Sequence, residues 1–207
     1  MPVCAIRLLV CLGLCLGALV PSRGAAQPDG KAFAGIGHDR VVGDSAKVFV
    51  VEFGDFGCSY CAKFAGETFP QLDSAFIRTG RVHWKFVPFV TGNFRNSREA
   101  AEAAECAGEQ HGFWKMHDLL YARRKEWMAS DEPKVLLARY ARELRFDPKF
   151  FAQCTSNQST HLRVMHNDVL AQTLYIRGTP TFYVNGRAIT GAIPFDLFKQ
   201  VIEAASR

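Results

Sequence analysis

The sequence predicts one α/β domain that carries a helical insertion. Three observations support this class: a strand, a helix and a second strand follow one another near the start, the middle is helical throughout, and the end returns to two short strands and a helix. A chain of 207 residues has the length of one domain with a short appendage. Its 48% hydrophobic and 22% charged residues exclude a disordered, collagen-like or coiled-coil protein.

Residues 1–26 have the pattern of a secretory signal peptide. An uncharged apolar run covers residues 8–20, after a weakly basic start and before small residues that end at Ala26. The run is shorter than the roughly 20 residues of a membrane span, so cleavage near Ala26 is expected, with an uncleaved anchor through 8–20 as the alternative. We therefore expect a periplasmic or otherwise extracytoplasmic protein. Residues 27–37 are expected to form a flexible leader.

The folded domain is expected over residues 38–205. The β-branched apolar run at 48–53 predicts a strand that is buried on both faces. A helix is expected over 58–77, bent or interrupted at Pro70, and a second strand over 81–89. This order predicts two parallel strands joined by a helical crossover.

The helical insertion is expected at about residues 95–172. Its predicted helices cover 97–107, 113–121, 133–144, a segment from 148, and 159–175. In the last of these, Leu162, Met165, Val169 and Leu170 are expected to face inward. Strands at 181–184 and 187–190 flank Asn185-Gly186, a strong hairpin signal, and an amphipathic helix ends the chain.

The seven cysteines divide at the predicted signal peptide. Cys4, Cys11 and Cys15 would be removed with it, which leaves Cys58, Cys61, Cys106 and Cys154. Four cysteines are an even number in a chain bound for an oxidising compartment.

The motif Cys58-Ser59-Tyr60-Cys61 lies between a predicted strand and a predicted helix. A cysteine at a helix start meets free backbone N–H groups and the positive end of the helix dipole, which favour its thiolate. The second cysteine is close enough to form an intramolecular disulfide. Cys58 is therefore predicted to form mixed disulfides with substrates, and Cys61 to resolve them.

Two other interpretations of the motif are half of a zinc site and a purely structural disulfide. No second cysteine pair or matching histidine pair is present, so no metal is predicted. A loop this short gains little unfolded-state entropy, so its disulfide would stabilise the fold poorly. The net charge of +5 comes from scattered residues, and nucleic-acid binding is not expected.

Glu52 and Pro180 are further candidate site residues. Glu52 lies in an apolar strand, where it is either a proton relay for Cys61 or a strand-end acid turned to solvent. Pro180 precedes the last hairpin, and on sequence alone a cis peptide bond before it is the minority state. A cis-proline beside the disulfide would leave neighbouring backbone groups free to pair with an extended substrate.

Three segments of the sequence resemble the DsbA-like disulfide oxidoreductases of the thioredoxin fold. They are residues 52–61 around the Cys-Ser-Tyr-Cys motif, 106–118 in the helical block, and 178–186 around Thr179-Pro180, and they follow one another in family order. The resemblance covers about residues 38–205 and implies a thioredoxin fold with an inserted helical domain. The dipeptide Ser59-Tyr60 lacks the histidine of strongly oxidising members.

The resemblance also implies roles for the candidate residues. It implies a redox-active Cys58–Cys61 pair, a buried acid at Glu52, and a cis Pro180 that binds substrate together with Thr179. Related sequences pair the cysteines equivalent to Cys106 and Cys154, so a structural disulfide is expected there, with two buried free thiols as the alternative.

The expected function is the introduction of disulfides into exported proteins. Expected partners are unfolded or partly folded cysteine-bearing chains and a membrane redox partner, and no cofactor is expected beyond the Cys58–Cys61 disulfide. A monomer is favoured. The alternatives are a reductase or isomerase that is kept reduced, and a non-catalytic chaperone or binding module of the same fold.

Overall fold

A five-stranded mixed sheet forms the centre of the structure, a computed structural model that describes residues 33–207. The strands are β1 (His38–Arg40), β2 (Val48–Gly54), β3 (Val82–Pro88), β4 (Thr181–Val184) and β5 (Arg187–Thr190). They lie in the order β1-β3-β2-β4-β5. The β2–β3 pair is parallel, as predicted, and every other neighbouring pair is antiparallel.

Eight helical segments surround this sheet in the part of the chain from residue 33 onward. The first, α1, spans 59–77. The others are α2 (Ser97–Gly108), α3 (Phe113–Ala122), α4 (Arg124–Ala129), α5 (Pro133–Glu143), α6 (Pro148–Thr155), α7 (Gln158–Thr173) and α8 (Phe195–Ala205). Six of them, α2 to α7, form one block between β3 and β4, which is where an insertion was expected.

The helix α1 changes its hydrogen-bond spacing near Pro70 and does not break there. The five residues Phe64–Thr68 form a π-helical turn, in which the Phe69 N–H donates to the Phe64 carbonyl. Pro70 has no N–H and cannot continue the regular four-residue pattern. The wider turn before Pro70 lets the helix continue, so the expected interruption is a local change of hydrogen bonding.

The strand β2 is buried on both faces, as predicted. Val48 and Val50 pack with α1 and α8 on one face of the sheet. Val51 and Phe53 pack on the other face with residues of α7. Glu52 lies between Val51 and Phe53 in the sheet centre, opposite Phe86 on β3 and Phe182 on β4.

The start of the described chain belongs to the fold. Phe33 and Ile36 are buried against Val51 and Phe53, so the prediction of a flexible leader is wrong for these residues. The strand β1 was not predicted, because its sequence His-Asp-Arg is polar throughout. The predicted signal peptide, its anchoring alternative at 8–20 and the first part of the leader lie outside the described residues. From residue 33 to the end, no helix combines the length and the apolar character that a membrane crossing requires.

The helical block is built around the alanine-rich α2. Its alanines are completely or almost completely buried, and their small side chains let α3, α5, α6 and α7 pack closely on it. The block also contains a disulfide between Cys106 on α2 and Cys154 on α6. Cys106 has no exposed surface, and the Thr160 hydroxyl lies 3.4 Å from the Cys154 sulfur.

The helix α7 faces its neighbours with a different side from the one predicted. Leu162, Met165 and Val169 are exposed, and only Leu170 of the expected set packs against the core. The buried side is largely polar, and Asp168 accepts hydrogen bonds from the Val90 N–H and the Arg98 guanidinium. Specific polar pairing therefore orients this helix, which a search for apolar periodicity does not detect.

The Cys106–Cys154 disulfide leads to a stability prediction. Replacing both cysteines by alanine is expected to lower the free energy of unfolding, because the disulfide closes a loop with a sequence separation of 48 residues. The chain-entropy relation gives a loss of ~4 kcal/mol. Urea unfolding followed by circular dichroism measures it, with Cys58 and Cys61 reduced and blocked in both proteins. A loss below about 1 kcal/mol would contradict a structural role.

Candidate active site

Cys58 is the residue immediately before helix α1. Its extended backbone, with φ −73° and ψ 127°, brings the chain from the β2 loop into the helix. Its N–H donates to the Asp55 carbonyl at 3.0 Å, and its carbonyl accepts the first helical bond from Ala62 at 3.1 Å. The sulfur of Cys58 is thus placed at the helix N-terminus, as the sequence predicts.

Several hydrogen bonds make Cys58 an acidic thiol. A hydrogen bond from the Cys61 thiol lowers the pKa of Cys58 most, burial opposes this, and the Thr179 side chain and the N–H groups of Cys61 and Tyr60 lower it further. The resulting pKa is about 5. At neutral pH Cys58 is a thiolate, which is the nucleophilic form.

Cys61 has the opposite protonation behaviour. Burial, followed by the hydrogen bond and the charge of Cys58, raises the pKa of Cys61 well above its ordinary value. Cys61 has no exposed surface, whereas the Cys58 side chain keeps a small accessible area. The arrangement can therefore offer a thiolate at Cys58 while Cys61 stays protonated behind it.

The loop before β4 closes the site from the other side. The Thr179–Pro180 peptide bond is cis, and the Thr179 carbonyl oxygen lies 3.3 Å from the Cys58 sulfur. Ser59 and Tyr60 are exposed beside the nucleophile, and Tyr60 keeps 66% of its surface accessible. The structure thus brings together all the residues around the motif that the sequence singled out.

Glu52 lies in the sheet below the cysteines. It is 2% exposed, so its interpretation as a strand-end acid turned to solvent is wrong. Burial raises the pKa of Glu52 to about 8, although the Trp84 indole N–H donates to its carboxylate at 3.2 Å and opposes the rise. The carboxyl group therefore holds its proton at neutral pH. Its charge, when present, adds to the effects that raise the pKa of Cys61.

Asp55 holds the active-site loop in place. Its buried carboxylate accepts hydrogen bonds from the Gly57 N–H at 2.9 Å, from the N–H and hydroxyl of Thr91 at 2.8 and 2.9 Å, and from the Ser97 hydroxyl. Thr91 follows β3 and Ser97 begins α2. One side chain thus links the loop before Cys58 to the sheet and to the helical block.

Gly57 lies where the segment between β3 and α2 passes close to this loop. A Cβ atom at this position would lie 2.3 Å from the Phe94 side chain, so only glycine fits. On the other side, the Gly57 carbonyl accepts a hydrogen bond from Arg124 at 2.7 Å. The residue before the nucleophile is therefore held between the segment that precedes α2 and the first residue of α4.

Sequence reasoning missed Asp55, Trp84, Thr91 and Arg124. Asp55 stands in a Gly-Asp-Phe-Gly turn, where aspartate is common for local reasons. Its long-range partners leave no local sequence signal. Arg124 lies 67 residues from the carbonyl that it contacts, which no pattern within the chain indicates.

A family model described as thioredoxin matches residues 36–204. Disulfide bond formation protein D of Bacillus subtilis is 31% identical over 166 residues, which cover 77% of this chain and 73% of that protein. The chain therefore belongs to the thioredoxin family, in its DsbA-like branch of thioredoxin-fold oxidoreductases.

Solved structures agree with this fold. The crystal structure of oxidised BdbD from Bacillus subtilis superposes with a TM-score of 0.72 at 30% identity, covering 80% of this chain and 91% of that one. The Wolbachia pipientis alpha-DsbA1 structure has the same TM-score at 21% identity, covering 82% and 91% of the two chains, and supports the fold alone. The inserted helical domain is part of the DsbA-like architecture that these comparisons support.

The chain also matches one part of a much longer protein. Na(+)/H(+) antiporter NhaA 1 of Salinispora arenicola is 35% identical over 160 residues, which cover 77% of this chain. The chain spans only 23% of the length of that relative.

Glu52 should make stability depend on pH. The folded state keeps the Glu52 proton up to about pH 8, whereas the unfolded chain loses it near its ordinary pKa of 4.5. Stability should therefore fall as pH rises between these values. Glu52→Gln, which retains an acceptor for Trp84, should remove this fall and stabilise the protein by on the order of 3 kcal/mol at pH 7.

Urea unfolding at pH 4 and pH 7 tests this effect. The variant and the wild type should be similarly stable at pH 4, and the variant should be more stable at pH 7. A variant that is less stable at pH 7 would show that the Glu52 carboxylate is charged in the fold.

The Thr179 side chain should set part of the acidity of Cys58. Thr179→Val removes the hydroxyl group whose interaction with the sulfur lowers the Cys58 pKa, so the variant should have a higher Cys58 pKa. Thr179→Ser keeps a hydroxyl group and serves as the control. Thiolate absorbance at 240 nm against pH measures both, and the wild-type midpoint should lie at about 5. Equal midpoints for all three proteins would exclude this contribution.

Proposed function

We propose that this protein is an extracytoplasmic thiol:disulfide oxidoreductase that introduces disulfides into exported proteins. The observation that carries the proposal is the asymmetry of the cysteine pair, in which an acidic Cys58 with a small accessible area stands before a fully buried Cys61 whose pKa is raised. Membership in the DsbA-like branch, and the printed name of the Bacillus subtilis relative, support the same chemistry.

The proposed reaction transfers two electrons from a substrate dithiol to the oxidised Cys58–Cys61 pair. A substrate thiolate attacks the Cys58 sulfur, a substrate–Cys58 bond forms, and the Cys58–Cys61 bond breaks. Cys61 leaves as a thiolate and takes a proton, for which the protonated Glu52 is the proposed source. A second substrate thiolate then attacks the substrate sulfur of the mixed disulfide and expels the Cys58 thiolate. The products are a substrate disulfide and a reduced pair.

The low pKa of Cys58 supports oxidation as the net direction. Groups that stabilise the Cys58 thiolate stabilise the reduced protein, and a couple with a stable reduced form is a strong oxidant. Cys61 and the backbone of the first helical turn supply this stabilisation here, although the dipeptide contains no histidine.

The proposal includes substrates and partners. Backbone groups at Thr179 and Pro180 would pair with an extended segment of an unfolded, exported chain, and a separate membrane partner would reoxidise the cysteines. We propose that the protein acts as a monomer, without a metal or an organic cofactor, and does not bind nucleic acid.

The equilibrium potential of the Cys58–Cys61 couple against glutathione tests the direction. A value near −120 mV, about that of DsbA, is expected, and a value near −270 mV, about that of thioredoxin, would indicate a reductase. Insulin reduction with dithiothreitol separates an enzyme from a chaperone or binding module, because a non-catalytic protein would not accelerate it.

The roles of the two cysteines can be tested by trapping. Cys61→Ala should accumulate mixed disulfides between Cys58 and substrate proteins, because the resolving thiol is absent. Cys58→Ala is the matched control and should form none. Non-reducing gels and mass mapping of the linked peptides measure the outcome. Adducts on Cys61 in the control, with none in the first variant, would reverse the assignment.

A further inference from the structure

Arg124 is a cation next to the nucleophile, and no carboxylate in the described part of the chain forms an ion pair with it. Its Nη1 donates to the Gly57 carbonyl at 2.7 Å, one residue before Cys58, and lies 3.1 Å from the Met128 sulfur. Neighbouring arginines are paired: Arg95 with Asp131 at 2.5 Å and Arg123 with Glu143 at 2.7 Å. Within residues 33–207, Arg124 takes part in no ion pair.

The contacts of Arg124 leave most of its guanidinium available. Both of them use Nη1, so the Nε and Nη2 groups have no hydrogen-bond partner among the described residues. A guanidinium edge of this kind matches a carboxylate with two parallel hydrogen bonds. The side chain is half-buried, so its charge is screened by salt less than that of a fully exposed residue.

The surroundings of Cys58 carry few acidic side chains that could compete. The first turn of α1 contains no acidic residue, and Lys63 lies at the end of its first segment. Across the site, the exposed Arg177 lies two residues before Thr179, whose carbonyl is 3.3 Å from the Cys58 sulfur. Arg177 also forms no ion pair within the described chain.

We propose that Arg124 is a specificity-determining residue that favours substrate segments with an acidic residue close to the reacting cysteine. Its guanidinium binds that carboxylate while Cys58 meets the substrate sulfur, and Arg177 adds attraction from the opposite side. This inference rests on the proposed exchange activity and defines its substrate class as acidic cysteine-containing segments of unfolded chains.

Three reduced dithiol peptides test the proposal, identical except for glutamate, glutamine or lysine beside one cysteine. Rate constants for their oxidation by the oxidised protein are compared at low salt. The glutamate peptide should react about threefold to fivefold faster than the glutamine peptide, the size of one partly exposed ion pair. The lysine peptide should react most slowly, and added salt should reduce all the differences.

Variants separate the charge of Arg124 from its structural contact. Arg124→Gln should bring the glutamate-to-glutamine ratio close to one, whereas Arg124→Lys should keep part of it. Loss of the Gly57 contact alone would slow all peptides equally and leave the ratio unchanged. The control is Arg187→Gln, an exposed arginine opposite Val184 at the end of the sheet away from Pro180, and it should keep the wild-type ratio.

Two results would overturn the proposal. One is equal rates for all three peptides with the wild type, and the other is an unchanged preference in Arg124→Gln. Rapid oxidation of the glutamine peptide in these cases would leave the exchange activity standing. No oxidation of any peptide would instead contradict the proposed function and, with it, this inference.

Discussion

The buried carboxylate of Asp55 is the constraint on which the site depends. It accepts hydrogen bonds from three separate parts of the chain: the loop before Cys58, the segment after β3 and the first turn of α2. A buried carboxylate is costly unless donors surround it, so these three segments are held in one arrangement. That arrangement places the Cys58 sulfur at the start of α1, where the helix and Cys61 can act on it. The acidity of the nucleophile thus begins with the position of a residue three places before it.

Two cysteines of identical chemistry acquire opposite properties through this placement. Cys58 receives hydrogen bonds at the edge of the core, and Cys61 is enclosed among buried side chains of the sheet and the block. The enclosure that raises the pKa of Cys61 also raises that of Glu52, so both groups hold protons at neutral pH. The attacking sulfur differs from the resolving one because Cys58 is a thiolate at the helix start, whereas Cys61, less than one helical turn further on, keeps its proton. The composition of the dipeptide between the two cysteines does not make this distinction.

Local signals in the sequence predicted most of the fold and the centre of the site. The apolar run of β2, the Asn185-Gly186 hairpin and the cysteine at a helix start each depend on neighbours in the chain, so their patterns are visible. The side of α7 that is buried was predicted wrongly, because Asp168 is held by Val90 and Arg98 from distant segments. Asp55 and Arg124 were missed for the same reason. What a sequence cannot display is a polar contact whose partner lies far along the chain.

The Cys106–Cys154 disulfide differs from the Cys58–Cys61 pair in the stage of folding at which it can form. Cys106 has no exposed surface once α2 is enclosed by the rest of the block, so no redox partner can reach its sulfur in the folded protein. Cys154 keeps only 8% of its surface exposed, so the bond between them forms most readily before α2 is enclosed, with an oxidant that the unfolded chain meets. Each copy is then expected to keep this disulfide after folding, because the Cys106 sulfur is enclosed. A protein proposed to supply disulfides thus depends, for its own maturation, on a supply that exists before it.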